Sequence, residues 1–231
     1  MDINTATSHF KGSFITPAEE LANKLSRIKA FVFDWDGVFN NGVKDENGTS
    51  SFSEIDAMGT NLMRFNHYLR NNDVPVVAII SGERNAMAWS LAKRESFHGV
   101  YSGIKFKVEA LQHICEEHGI KQEEVCFVFD DVLDFSVAAV CGLRIMIPRA
   151  CNPLLVEYAV QHKMVDYLTS CEGGDGAVRE AVELLCGLSG KYTETIENRM
   201  NFTEAYRKYL ELRNQSMPSF YFSKDSKIIE E

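Results

Sequence analysis

The run KAFVFDW at residues 29–35 constrains the fold more than any other feature of this chain. It is apolar, rich in β-formers and followed by acidic and glycine residues, which is the pattern of a strand buried on both faces of a parallel sheet. Similar runs recur as VPVVAIIS (74–81), EVCFVFDD (124–131) and LRIMIP (143–148). Between and after them apolar residues fall at helical spacing over 58–69, 86–94, 107–118 and 154–161. Strands alternating with helices in this way predict an α/β fold, a doubly wound parallel sheet. Ligands bind such sheets outside the carboxyl ends of the strands, so polar residues at those ends are the ones to inspect.

With 231 residues and 45% apolar content, the chain can bury one core plus appendages. Its net charge is −9 and no basic run could neutralise a phosphate backbone, so nucleic acid is not an expected partner. The segment MDINTATSHFKGSF has no basic stretch followed by an apolar one. No run approaches the roughly 18 uninterrupted apolar residues of a membrane helix, and a cytoplasmic protein with no membrane partner is expected. Six cysteines without a CxxC pair are expected to be reduced thiols. His113 and Cys115 stand two apart and would diverge on a helix, so with His118 they read as a helix surface with one buried Cys rather than as a metal set.

The chain divides into an N-terminal extension (1–20), a principal domain (21–190) and a C-terminal extension (191–231). Within the principal domain, Asn47-Gly48 in GVKDENGTSSFSEI (42–55) predicts a small β-hairpin flap. No insertion is large enough for a separate cap domain. The last extension holds one amphipathic helix, near 201–212, and an aromatic-dotted tail containing PSFYF. It has too few apolar positions for a core of its own.

Asp34 and Asp36 stand two apart at the end of the first strand, so side-chain alternation sends both carboxylates to one side and Trp35 to the other. Three further strand or helix ends carry complementary groups: Ser81-Gly82, Lys107, and Asp130 with Asp131 and Asp134. Each has a plainer reading alone. Ser81 could cap a helix, Lys107 could be a solvated first-turn residue, and Asp131 and Asp134 could favour a helix dipole. Those plain readings would all have to hold at one edge of one sheet. A buried strand ending in adjacent acids is costly without compensation, which Lys107 and a divalent metal would supply.

Taken in order, FDWDG, IISG, Lys107 and FDDVLD resemble the four motifs of the haloacid dehalogenase (HAD) superfamily phosphatases. Within it the chain looks like the capless 3-deoxy-manno-octulosonate 8-phosphate (KDO-8-phosphate) phosphatase group and its sialic-acid-pathway relatives. Lys107 precedes Asp130 by 23 positions, as in that group. Asp56 and Gly59 resemble its post-flap DGxG, and GGDGAVRE resembles its closing segment, so the resemblance spans about 21–188.

The resemblance implies an HAD-like fold, with Asp34 as nucleophile and Asp36 as general acid/base. It implies Mg²⁺ held by Asp34, the Asp36 carbonyl and Asp130. Phosphate would be bound by Ser81, Gly82 and Lys107, with Asp131 and Asp134 as supports. The substrate would be a small phosphorylated acidic sugar, and the assembly a homotetramer whose C-terminal segments reach neighbouring active sites. Phe129, Ala57, Ile55 and the late Arg84 depart from the group's pattern. A phosphatase for another nonulosonate or small phosphomonoester is the alternative enzyme. A non-catalytic HAD-fold binding protein, working through its tail, is the alternative of another class.

Overall fold

The computed structural model describes residues 3–224 and 227–231. Met1, Asp2, Asp225 and Ser226, which belong to the two extensions, lie outside the described residues. Strands are β1 (Ser13–Phe14), β2 (Ala30–Phe33), β3 (Val76–Ile80), β4 (Gly99–Ser102), β5 (Val125–Phe129), β6 (Leu143–Met146), β7 (Tyr167–Leu168), β8 (Ser219–Lys224) and β9 (Lys227–Glu230). Helices are α1 (Ile3–Thr7), α2 (Ala18–Leu25), α3 (Glu54–Asn71), α4 (Ala86–Glu95), α5 (Lys107–His118), α6 (Phe135–Ala138), α7 (Pro153–Gln161), α8 (Ala177–Leu188), α9 (Tyr192–Met200) and α10 (Glu204–Arg213).

All nine strands form one sheet in the order β1-β7-β6-β5-β2-β3-β4-β8-β9. The seven inner strands run parallel, while β1 and β9 pair antiparallel at the two edges. β2 is buried at every position because both faces of the sheet are covered. Phe31 and Phe33 join the core on one side with Leu62, Val182 and Leu185, while Ala30 and Val32 join the other with Leu111 and Ile114. Phe33 pairs with Ile79 of β3 and with Val128 of β5, so these three strands end level. The chain runs from β2 to β3 and β4 on one side, then returns to β5 on the other. That reversal opens a crevice at the end of β2.

One expectation needs correction. Residues 42–55 form no hairpin ladder, because the side chains take the hydrogen bonds that strands would need. The Asp45 carboxylate accepts from the amides of Asn47 (2.9 Å) and Thr49 (2.8 Å), closing a tight turn. The flap is therefore a loop stapled at Asp45 and Thr49. Phe52 turns inward from it against Trp35.

In the C-terminal extension, expected to dock across a subunit interface, the described residues 191–224 and 227–231 pack on their own chain. Tyr206 and Tyr209 of α10 lie against Phe65 of α3 at centroid distances of 4.9 and 5.3 Å. β8 then pairs parallel with β4, whose free edge offers the missing hydrogen-bond partners. In extended backbone the aromatics of SFYF alternate. Tyr221 stacks on Tyr101 at 4.6 Å, and Phe220 meets Trp89 at 5.0 Å on the other face.

Candidate active site

The crevice at the end of β2 is a cavity of about 280 Å³. Seven of the eight sequence-predicted residues line it: Asp34, Asp36, Gly82, Lys107, Asp130, Asp131 and Asp134. Ser81 is the exception. It is buried just behind, and its hydroxyl accepts from the Glu83 amide at 3.3 Å. A larger groove of about 1090 Å³ lies at the opposite edge, lined by Lys29, Val76 and Glu124 among others, and holds none of these groups.

Asp34 follows the last residue of β2, and its backbone amide still bonds Val128 of β5 at 2.9 Å. Its side chain is therefore set by the sheet rather than by a loop. Lys107, the first residue of α5, places Nζ 2.6 Å from Asp34 Oδ1 and 2.6 Å from Asp134 Oδ1. The other Asp134 oxygen accepts from the Asp131 amide at 3.1 Å, and Asp131 in turn accepts from the Val132 amide. Asp134 is thus fully engaged in holding Lys107 and the turn after β5.

Asp130 is in a different position. Both its carboxylate oxygens are buried and neither accepts a hydrogen bond, although Arg149 Nη2 stands 2.6 Å from Oδ2 as an ion pair. Oxygens of Asp34, Asp130 and Asp134 lie within 4.8 Å of one another. Two under-committed hard oxygen donors, Asp34 and Asp130, fit a divalent cation that prefers oxygen.

Burial raises all three acids. It pushes Asp34 up to about 6 against the pull of Lys107, and the neighbouring Asp130 charge adds to the rise. Asp130 also reaches about 6 by burial, with Arg149 opposing, and Asp134 reaches about 7 by burial and the Asp34 charge. For Lys107, burial disfavours the charge, but Asp34 and Asp134 outweigh it and hold the amine above its ordinary range.

Asp36 sits at the rim, under the flap. Ser50 Oγ donates to its Oδ1 at 2.6 Å and Lys44 Nζ pairs with its Oδ2. The loop below is tied by Asn40, which donates to the Trp35 carbonyl and accepts from the Gly42 amide. Gly37 has φ +88°, and a Cβ there would lie 1.9 Å from Arg149 Nη2 and 2.1 Å from Asp130 Oδ2. The closing segment GGDG presses on the same loop, since a Cβ on Gly173 would meet the Gly37 carbonyl at 2.0 Å.

Lys44, Ser50 and Arg149 were not legible as site residues, because isolated polar residues in loops carry no periodicity or motif. Asp56 and Gly59 prove structural. Asp56 accepts from the Arg179 amide (2.8 Å) at the start of α8, and Gly59 faces Arg179 where α3 and α8 cross closely. Of the four departures, Phe129 and Ala57 are buried in the core. Ile55 is exposed, and Arg84 lies over the Phe222 ring with Nη1 3.5 Å from Glu231 of the tail.

No family model matches the chain. The 3-deoxy-D-manno-octulosonate 8-phosphate phosphatase of Escherichia coli is 30% identical over 175 residues, covering 74% of this chain and 86% of that protein. A crystal structure of the enzyme of that name from Moraxella catarrhalis, in complex with magnesium ion, phosphate ion and KDO, matches with a TM-score of 0.65 at 26% identity. It covers 78% of this chain and 98% of the other. The cobalt-bound deoxy-D-mannose-octulosonate 8-phosphate phosphatase of Haemophilus influenzae gives a TM-score of 0.62 at 26% identity, over 78% and 98%. The shared sheet, the ordered motifs at its carboxyl edge and the extent of these matches place the chain in the HAD superfamily phosphatases, as a member of the KDO-8-phosphate phosphatase group.

Proposed function

We propose that this chain is a Mg²⁺-dependent phosphomonoester hydrolase that works through an aspartyl-phosphate on an acidic sugar phosphate of the KDO-8-phosphate kind. The observation that carries the reading is Asp34. It is a buried carboxylate at the end of the central strand, bonded by a buried lysine and close to a second buried acid that accepts no hydrogen bond. The names of the relatives support the substrate class.

In this reading Asp34 attacks phosphorus in line, forming a bond from its carboxylate oxygen as the bond to the sugar oxygen breaks. Asp36 gives a proton to that leaving oxygen. It then takes one from the water that cleaves the aspartyl-phosphate. The Lys107 ammonium, the Gly82 amide and the Ser81 hydroxyl bind the phosphoryl oxygens. Asp34, Asp130 and the main-chain carbonyl of Asp36 would hold Mg²⁺, which when bound supplies charge neutralisation around the phosphoryl group. Asp131 and Asp134 hold the turn and Lys107 in place.

Residues 21–190 form the phosphatase domain in this reading, with the flanking segments as extensions of it. The enzyme is cytoplasmic and a homotetramer. Among the described residues no helix is long and apolar enough to cross a membrane. Val43, Ile55, Met58, Phe106 and Leu133 are exposed on elements around the crevice, an apolar rim that a second copy would cover. A phosphate-release screen over sugar phosphates, with and without Mg²⁺, tests the function. Turnover of an acidic sugar phosphate that stops on chelation is expected, and no release from any phosphomonoester would sink the reading.

A further inference from the structure

We propose that Arg149 sets the affinity of the acid cluster for its divalent cation by sharing Asp130 with it; this rests on the reading of Asp34 and Asp130 as ligands. The acids that face the ion's seat are each paired with a cation. Lys107 serves Asp34 and Asp134, Lys44 serves Asp36, and Arg149 serves Asp130. The first two also make hydrogen bonds, whereas Asp130 receives charge from Arg149 with no aligned hydrogen bond. Asp130 is thus kept compensated while its lone pairs stay uncommitted.

The guanidinium has a built seat. A Cβ on Gly37 would stand 1.9 Å from Nη2, so this glycine with positive φ leaves the room the guanidinium occupies, and Gly42 flanks it within ordinary contact distance. Arg149 lines the cavity and keeps about a third of its side chain exposed, while Asp130 is buried. A guanidinium does not lose its proton in a protein, so it is a permanent positive charge beside the ion's seat. It favours an ionised Asp130 and at the same time repels a divalent cation. The result is a cluster ready to bind, with an affinity held low enough for exchange.

The test is isothermal titration of the full chain with MgCl₂ near pH 8. R149M and R149Q, which remove the charge, are expected to bind Mg²⁺ about tenfold more tightly or better, and to show a larger Mg²⁺-induced rise in melting temperature. R149K keeps a cation and is expected to retain the wild-type affinity. R149Q also leaves Asp130 a hydrogen-bond donor, which guards against loss of fold in R149M. Unchanged or weaker binding in both neutral variants overturns the inference alone. Failure of both to fold would make Arg149 purely structural and overturn it as well. Absence of Mg²⁺ binding by the wild-type chain overturns the proposed function and the inference with it.

Discussion

Lys107 Nζ lies 2.6 Å from Asp34 Oδ1, a pair in which both side chains are almost fully removed from water. Two such charges would each carry a desolvation cost of several kcal/mol, which only close geometry and further hydrogen bonds offset. The second bond from Lys107 to Asp134 completes that compensation. The strand-end acids and the first residue of α5 are therefore one electrostatic unit.

Removing the cation from this unit leaves two buried acids without a compensating charge. Lys107→Met is expected to destabilise the fold by about 3–5 kcal/mol near neutral pH, as for other broken buried pairs. The loss should shrink in mild acid, because Asp34 and Asp134, already raised to about 6 and 7, then take up protons. Urea unfolding at both pH values checks this. Equal losses at the two would mean that the pair carries no net charge coupling.

Asp34→Asn keeps an acceptor for Lys107 but removes the proposed nucleophile. Turnover is expected to fall by at least about 10³-fold while the melting temperature moves little. Steady-state phosphate release decides it, and near-wild-type rates would exclude an aspartyl-phosphate at this position.

The acid cluster also links metal to pH. Asp34, Asp130 and Asp134 have folded values of about 6, 6 and 7. With unfolded values near 3.9, their contribution to stability is full below that pH and is lost as pH rises through about 6 to 7. Buried His67 and His98, both pulled down to about 3, act in the opposite direction. The clean readout is therefore the Mg²⁺-induced rise in melting temperature, in which the histidines cancel. It is expected to grow from pH 5 to pH 8, and a rise that is flat or falling with pH would rule out these carboxylates as the ion's ligands.

Most of this site was legible because its residues end buried strands, where the apolar run marks the position and the topology delivers it to one edge. Lys107 was legible for a related reason, as the first residue of a helix whose periodicity sets its start. β4 and β8 were missed because GVYS is too short to show alternation and SFYF lies in a polar tail. Their pairing depends on which sheet edge is open, which is a property of the assembled fold. Lys44, Ser50 and Arg149 act through loop geometry, to which sequence spacing is blind.

Lys44 and Ser50 together occupy both oxygens of Asp36, so the flap positions the group proposed as general acid. The double variant Lys44→Ala/Ser50→Ala is expected to lower kcat by roughly 10²-fold, the scale of a misplaced catalytic group. KM should change less, and Lys44→Arg should recover part of the loss. A double variant with wild-type kcat would show that Asp36 finds its place without the flap.

The C-terminal extension offers the last test, because its packing assigns it a structural role within one chain. Tyr209 is fully buried, with its hydroxyl 3.3 Å from the Asn61 carbonyl, and Tyr206 donates to the Asn61 side chain at 3.2 Å. Tyr209→Ala is expected to cost about 3 kcal/mol, the lower end of the range for aromatic-to-alanine changes in a core. Arg84→Ala breaks only an exposed pair with Glu231 and a ring contact, so it should cost under about 1 kcal/mol. Ending the chain after Gly190 does far more. It uncovers Phe65 and Tyr68 and leaves β4 as an open apolar edge, the arrangement that templates pairing between chains. The truncated protein is therefore expected to melt at lower temperature and to aggregate on heating, with activity lost in step with the folded fraction. If it instead keeps the wild-type melting temperature and only KM for the sugar phosphate rises, residues 191–231 serve the substrate rather than the sheet.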